Sequence, residues 1–94
     1  MTILVVHHRV RAFDAWKPVF DAHADSRREH GARRHWLYTA PADRNDVVVA
    51  VEFPSADAAN GFLADPSLAG AMERAGVEGE PMVHIWEQVE DVTY

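Results

Sequence analysis

Cysteine is absent from this chain, so neither a disulfide nor a thiolate-bound metal can reinforce the fold. Basic charge is scarce: nine Lys and Arg stand against fifteen Asp and Glu, giving a formal net charge of −6 with histidine neutral. A nucleic-acid partner asks for a basic face, and so does an anionic membrane surface; neither partner is expected. The one basic cluster, Arg27, Arg28, Arg33 and Arg34, is local, and its first pair falls near a predicted helix end where cations are favoured. Long apolar runs are missing too. The opening Met1 to Val6 lacks the charged start of a signal peptide, nothing reaches transmembrane length, and a cytoplasmic setting is expected.

Several catalytic signatures are equally missing. Gly61, Gly70, Gly76 and Gly79 form no phosphate-cradling loop. Ser26, Ser55 and Ser67 sit at helix or cap positions without an elbow motif. Asp43 and Asp46 lie in a turn, where solvation accounts for them. No dinucleotide fingerprint occurs, which excludes a Rossmann-bound NAD or flavin.

What remains is one short domain spanning residues 1–94, 48% hydrophobic and carrying six histidines. A chain of this size buries only about 60–65% of the surface its unfolded form exposes, so association with a second copy is the available route to more burial.

Thr2 to Val10 is β-branched and reads as a strand. Asp14 offers an N-cap for a helix reaching about His30, with Pro18 tolerated near its start and Gly31 as the C′ residue. Arg33 to Thr39 reads as a strand, Pro41 to Asp46 as a turn, and Val47 to Phe53 as a buried strand closing a hairpin. Ser55 caps a second helix whose inner face is Ala59, Phe62 and Leu63. Asp65 and Pro66 restart it, with Leu68 and Met72 one turn apart, and Gly76 ends it. A turn at Gly79-Glu80-Pro81 precedes a last strand, Met82 to Val89. The order β-α-β-β-α-β predicts the ferredoxin-like α+β fold: a four-stranded antiparallel sheet with helices on one face. The Val47 to Phe53 strand is apolar on both sides, so the other face needs a cover.

The first helix carries the most information. Phe20, His23, Arg27 and His30 all fall within about 40° of the Trp16 direction, so the inward stripe begins aromatic and ends His-Arg-His. Arg27 and His30 could instead reach outward at the helix end. On the first strand, His8 shares a face with Leu4, Val6 and Val10 and points at the helices; His7 and Arg9 point to the other side. In the last strand the alternation leaves two sets, Met82-His84-Trp86 and Val83-Ile85-Val89; the first is taken as helix-facing. Histidines converging on one pocket suit proton transfer, whereas any one of them can equally be a hydrogen-bonded structural residue. His8, His23 and His84 could also form a three-His metal site, but no close His pair on one element supports it, and no metal is expected.

With these elements placed, the chain resembles the dimeric α+β barrel superfamily, which includes the antibiotic-biosynthesis monooxygenases and small polyketide cyclases. The resemblance rests on the element order, on Val5-Val6-His7-His8-Arg9-Val10 followed by Phe13-Asp14-Ala15-Trp16-Lys17-Pro18-Val19-Phe20-Asp21, and on Phe62-Leu63-Ala64-Asp65-Pro66-Ser67-Leu68 with Ala75-Gly76-Val77. It implies a homodimer through the sheet faces and a ligand pocket between sheet and helices. Heme-degrading members use a His on the second helix; none occurs from Ser55 to Gly76. Cofactor-independent oxygenases of the superfamily use Asn, Trp and Tyr, for which Asn60, Trp36, Trp86 and Tyr38 are available. The resemblance transfers no catalytic residue by motif.

The expectation is a cofactor-free cyclase or isomerase acting on a small polyketide-like or aromatic substrate. His23, His8 and His84 with Arg27 would do acid–base work and stabilise the enolate. Trp16, Phe20, Trp86, Trp36 and Tyr38 would hold the substrate. The alternatives are a cofactor-independent monooxygenase using the same pocket and a non-catalytic binding or stress-response module.

Overall fold

The computed structural model describes all 94 residues. Its elements are β1 (Thr2–Val10), α1 (Phe13–Ala22), α2 (Ala24–Glu29), β2 (Arg34–Ala40), β3 (Asp43–Phe53), α3 (Ala56–Leu63), α4 (Pro66–Ala75) and β4 (Val77–Glu87). The four strands form one sheet in the order β2-β3-β1-β4, with every neighbouring pair antiparallel. This is the expected ferredoxin-like arrangement. No helix is long and apolar enough to cross a membrane.

Register sorts the sheet into two faces, because residues directly opposite one another point the same way. Leu4 pairs with Val51 and Ile85, and Val6 with Val49 and Val83. Leu4, Val6, Val49 and Val51, with Val10, Val47 and Phe53, lie under the helices and pack with Trp16, Ala59, Phe62 and Ala75; Ile85 joins them half-buried, while Val83 on the same face is exposed. The opposite face carries Ile3, Val5, His7 and Arg9 of β1 beside Val48, Ala50 and Glu52 of β3. Arg34, Trp36 and Tyr38 of β2 flank it on one side, and Met82, His84 and Trp86 of β4 on the other. No helix covers that face.

The long first helix is broken. His23, at φ −89° and ψ 6°, separates α1 from α2, its N–H shared between the carbonyls of Val19 and Phe20 at 3.1 and 3.2 Å. Asp14 is not the cap: the helix starts at Phe13, whose N–H donates to Asn45 Oδ1 of β3 at 2.9 Å. The cap is thus tertiary, which local sequence cannot reveal. Ser55, Asp65 with Pro66, and Gly76 do terminate helices as expected, Gly76 in the left-handed region at φ 80°.

Two turn boundaries shift. β3 begins at Asp43, so only Pro41 and Ala42 remain between the hairpin strands, and the polar strand end is held by Arg9–Asp43 and His7–Asp46 contacts across the open face. Gly79-Glu80-Pro81 is a bulge inside β4: His7 pairs with Met82 and Arg9 with Glu78, so three β4 residues bow out opposite His8 alone. A proline fits there because β4 is an edge strand.

Candidate functional site

A cavity of about 60 Å³ lies between the sheet and the helices. Its polar lining is His8 from β1, His23 from the break between α1 and α2, and Arg27 from α2. The remaining wall is apolar: Trp16 and Phe20 on α1, Val49 and Val51 on β3, and Leu68 and Met72 on α4, among others. The α1–α2 stripe therefore reaches the interior despite the helix break. Trp16 and Phe20 stack with ring centroids 4.9 Å apart. Outside lies a recess of about 250 Å³ lined by Pro18, Val19, Ala22, His23 and Arg74. Val19 and His23 line both spaces and form the sill between them.

His8 is 7% exposed, and neither ring nitrogen has a hydrogen-bond partner within the chain. Its ring meets the edge of Trp16 at 5.7 Å between centroids. Burial, reinforced by the neighbouring His7, pushes its pKa below the ordinary histidine value, so the imidazole is neutral. A buried polar group without partners costs roughly 1–3 kcal/mol, and a native chain that keeps one calls for an explanation.

His23 is held rather than orphaned. Its Nε2 lies 2.9 Å from Ser67 Oγ, and Ser67 Oγ donates to Asp65 Oδ1 at 2.7 Å. Burial and the nearby Arg27 lower its pKa as well. Asp65 additionally accepts from Ser67 N–H at 2.8 Å, Ser26 Oγ at 3.0 Å and His30 Nε2 at 2.9 Å. Those hydrogen bonds, the Ser67 backbone N–H first, keep its carboxyl far below the usual carboxylate range. His30 is thus a tie between α2 and the start of α4. Asp65 and Ser67 read as a cap in the sequence; only the packing of α4 against α1 brings them to His23.

Arg27 does not reach outward. It is 6% exposed, its guanidinium carbon sits 3.7 Å from the centroid of Phe20, and it makes no ion pair, although Arg9, Arg28, Arg34 and Arg44 all do. Burial lowers its pKa from the ordinary arginine value, yet a guanidinium stays charged in a protein.

Four expected site residues lie elsewhere. His84 and Trp86 are on the open face of β4, opposite Val5 and Ile3, and stack on each other with centroids 5.6 Å apart. Trp36 and Tyr38 are on the same open face from β2. The choice failed for β4 because both of its alternating sets are apolar, and the Val83–Ile85 set is the one on the helix side of the sheet, where Ile85 joins the core. The sheet separates His84 from His8 and His23, so the three do not converge, and no cluster of three metal-ligating side chains occurs anywhere. Asn60 of α3 is exposed and does not line the cavity.

No protein-family model and no curated protein matches the chain. Solved structures do. SnoaB from Streptomyces nogalater, a cofactor-independent oxygenase, superposes with a TM-score of 0.80 at 18% identity, covering 99% of this chain and 97% of that one. A proposed antibiotic biosynthesis monooxygenase from Nitrosomonas europaea gives 0.74 at 16% identity over 96% and 100%. Its counterpart from Deinococcus radiodurans gives 0.73 at 15% over 100% and 98%. At such identities the likeness speaks for architecture, and the chain has the ferredoxin-like α+β fold of the antibiotic-biosynthesis monooxygenase structures.

Proposed function

We propose that the cavity is the active site of a small-molecule enzyme that needs no cofactor, removes a proton from an activated C–H of an aromatic or polyketide-type substrate, and passes the carbanion to dioxygen. The observation that carries this reading is one apolar pocket joining a held imidazole, an orphaned neutral imidazole and an unpaired guanidinium. His23 is the base, Arg27 takes the developing oxyanion, and His8 offers a second polar contact. Trp16 and Phe20 belong to the apolar wall that the reactive edge of the substrate meets. Once deprotonated, the substrate transfers an electron to dioxygen. Recombination gives a peroxide that loses water, so a CH₂ and O₂ become C=O and H₂O.

Oxygenation is preferred over ring closure for a steric reason. Aldol cyclisation requires a folded polyketide chain to be enclosed as a whole, and about 60 Å³ holds little more than a few waters. Oxygenation asks only that the reactive edge reach His23, with the remainder of the molecule in the 250 Å³ recess. The overall likeness to an oxygenase structure favours the same choice. Incubation with anthrone under air and under argon tests it. Anthraquinone formed only under air, with one O₂ consumed per turnover, is expected. Enzyme-dependent product formed equally under argon would overturn oxygenation, and no turnover of anthrone or of related hydroquinones would favour a binding module.

We also propose that a second copy of the chain covers the open sheet face. Tyr38, Met82 and Trp86 there are 55%, 58% and 58% exposed beside the half-buried Ile3, Val5 and Val48, and contiguous exposed apolar side chains of this kind favour an interface.

A further inference from the structure

We infer that the pocket takes its ligand as an anion, with the negative group on the in-plane N–H donors of Arg27 and the aromatic body reaching back past Val19 and His23 into the outer recess. This rests on the reading of the cavity as a ligand site and adds the charge and class of what enters it. The guanidinium is buried and forms no ion pair; the carboxylate that acts on it from nearby, Asp21, is bound to Lys17. Phe20 lies against its face, and stacking of that kind occupies none of the N–H groups, which project from the edge of the plane. Those donors match a carboxylate or phenolate, which a planar fork grips in two places.

The surroundings say the same. Fifteen Asp and Glu are spread over a chain of net charge −6, yet none lines the cavity or the recess. The charged and titratable groups there are Arg27, Arg74, His8 and His23. His8 brings two unmet ring nitrogens to the same space and can donate one further hydrogen bond to an anion. Arg74, at the outer recess, gives an approaching anion a first cationic contact before the sill at Val19 and His23.

A buried charge kept without a partner destabilises the protein that carries it; replacing it with a shape-matched apolar group is neutral or stabilising when its role is in binding. That separates the ligand role from a structural one. Benzoate and its neutral isostere benzamide are titrated calorimetrically into the wild type, Arg27→Met and Arg27→Lys, and each protein is melted without ligand. Benzoate should bind the wild type at least about tenfold more tightly than benzamide. Arg27→Met should erase that preference while melting at the same temperature or higher, and Arg27→Lys should keep it at reduced affinity. Equal binding of the two probes, no benzoate binding at millimolar concentration, or a benzoate preference surviving in Arg27→Met would each overturn the inference. So would an Arg27→Met protein that unfolds while Arg27→Lys binds both probes alike. Benzoate preference without oxygen chemistry would sink only the enzymatic reading, and oxygen chemistry without benzoate preference only this one.

Discussion

His23 Nε2 and Ser67 Oγ lie 2.9 Å apart across the contact between α1 and α4, and the hydroxyl's own proton is committed to Asp65. Asp65 is ionised and can only accept, so Ser67 has only a lone pair left for His23. Nε2 must then carry the ring proton, and in the neutral imidazole Nδ1 is the free base. One hydrogen bond sets the tautomer, and Ser67 and Asp65 are positioning residues for it.

Ser67→Ala should therefore lower kcat by about tenfold or more with KM little changed, since the base loses its orientation and the binding wall stays. His23→Ala should abolish turnover while the protein remains folded. The lowered pKa of His23 keeps it basic below the ordinary histidine range near 6.5. The acid limb of the wild-type rate profile should accordingly fall below about pH 6.5 and move further down in Ser67→Ala, because the acceptor that favours the imidazolium is lost. Full activity with an unmoved limb in that variant would remove Ser67 from the mechanism.

His8 couples the cavity to stability. Its folded pKa lies below its unfolded one, so the unfolded chain binds the extra proton first as pH falls. Stability should be greatest above about pH 6.5, decline as pH drops through the window down to the folded pKa, and level off beneath it. His8→Leu removes both the titration and the two unmet nitrogens. It should raise stability at neutral pH by about 1 kcal/mol and flatten the acid-side decline attributable to this residue. Urea melts of both proteins at pH 7.5 and 5.5 check this; a His8→Leu protein as acid-sensitive as the wild type and less stable would contradict it.

Asn45 holds the start of α1 from the neighbouring strand. Asn45→Ala should cost about 1 kcal/mol, the usual scale for losing an N-terminal cap. Because α1 presents Trp16 and Phe20 to the cavity, benzoate affinity should fall in parallel. A chemical denaturation curve together with a calorimetric titration reads both.

The proposed dimer buries the open face. Light scattering at micromolar concentration should give a mass near twice the 10.5 kDa of one chain. Met82→Lys, at a position exposed in the protomer, should yield a folded monomer. A wild type that stays monomeric at that concentration would remove the face-to-face dimer.

How far the sequence alone could go follows from what kind of contact each feature needs. The α1–α2 stripe of Trp16, Phe20, His23 and Arg27 was readable because helical periodicity is local, and the break at His23 does not carry those residues off their face. The inward direction of His8 followed from its apolar strand partners Leu4, Val6 and Val10. Periodicity could not orient β4, where Met82 and Trp86 compete with Val83 and Ile85 as an apolar set. Nor could it find the His23–Ser67–Asp65 chain, whose members are 44 and 2 residues apart and meet only when α4 docks. The Asn45 cap escaped for the same reason: it lies 32 residues from the N–H it satisfies.

The three-residue bulge of β4 has a bearing on how copies of this chain can stick together. Gly79, at φ 70°, and Pro81, which has no N–H, interrupt the outer row of backbone donors and acceptors along that border of the sheet. An incoming strand from another molecule finds no continuous ladder to extend there, which is how natural sheets resist fibrous, open-ended growth. Replacing Gly79 and Pro81 with valine would straighten that border and turn the chain toward amyloid-like aggregation.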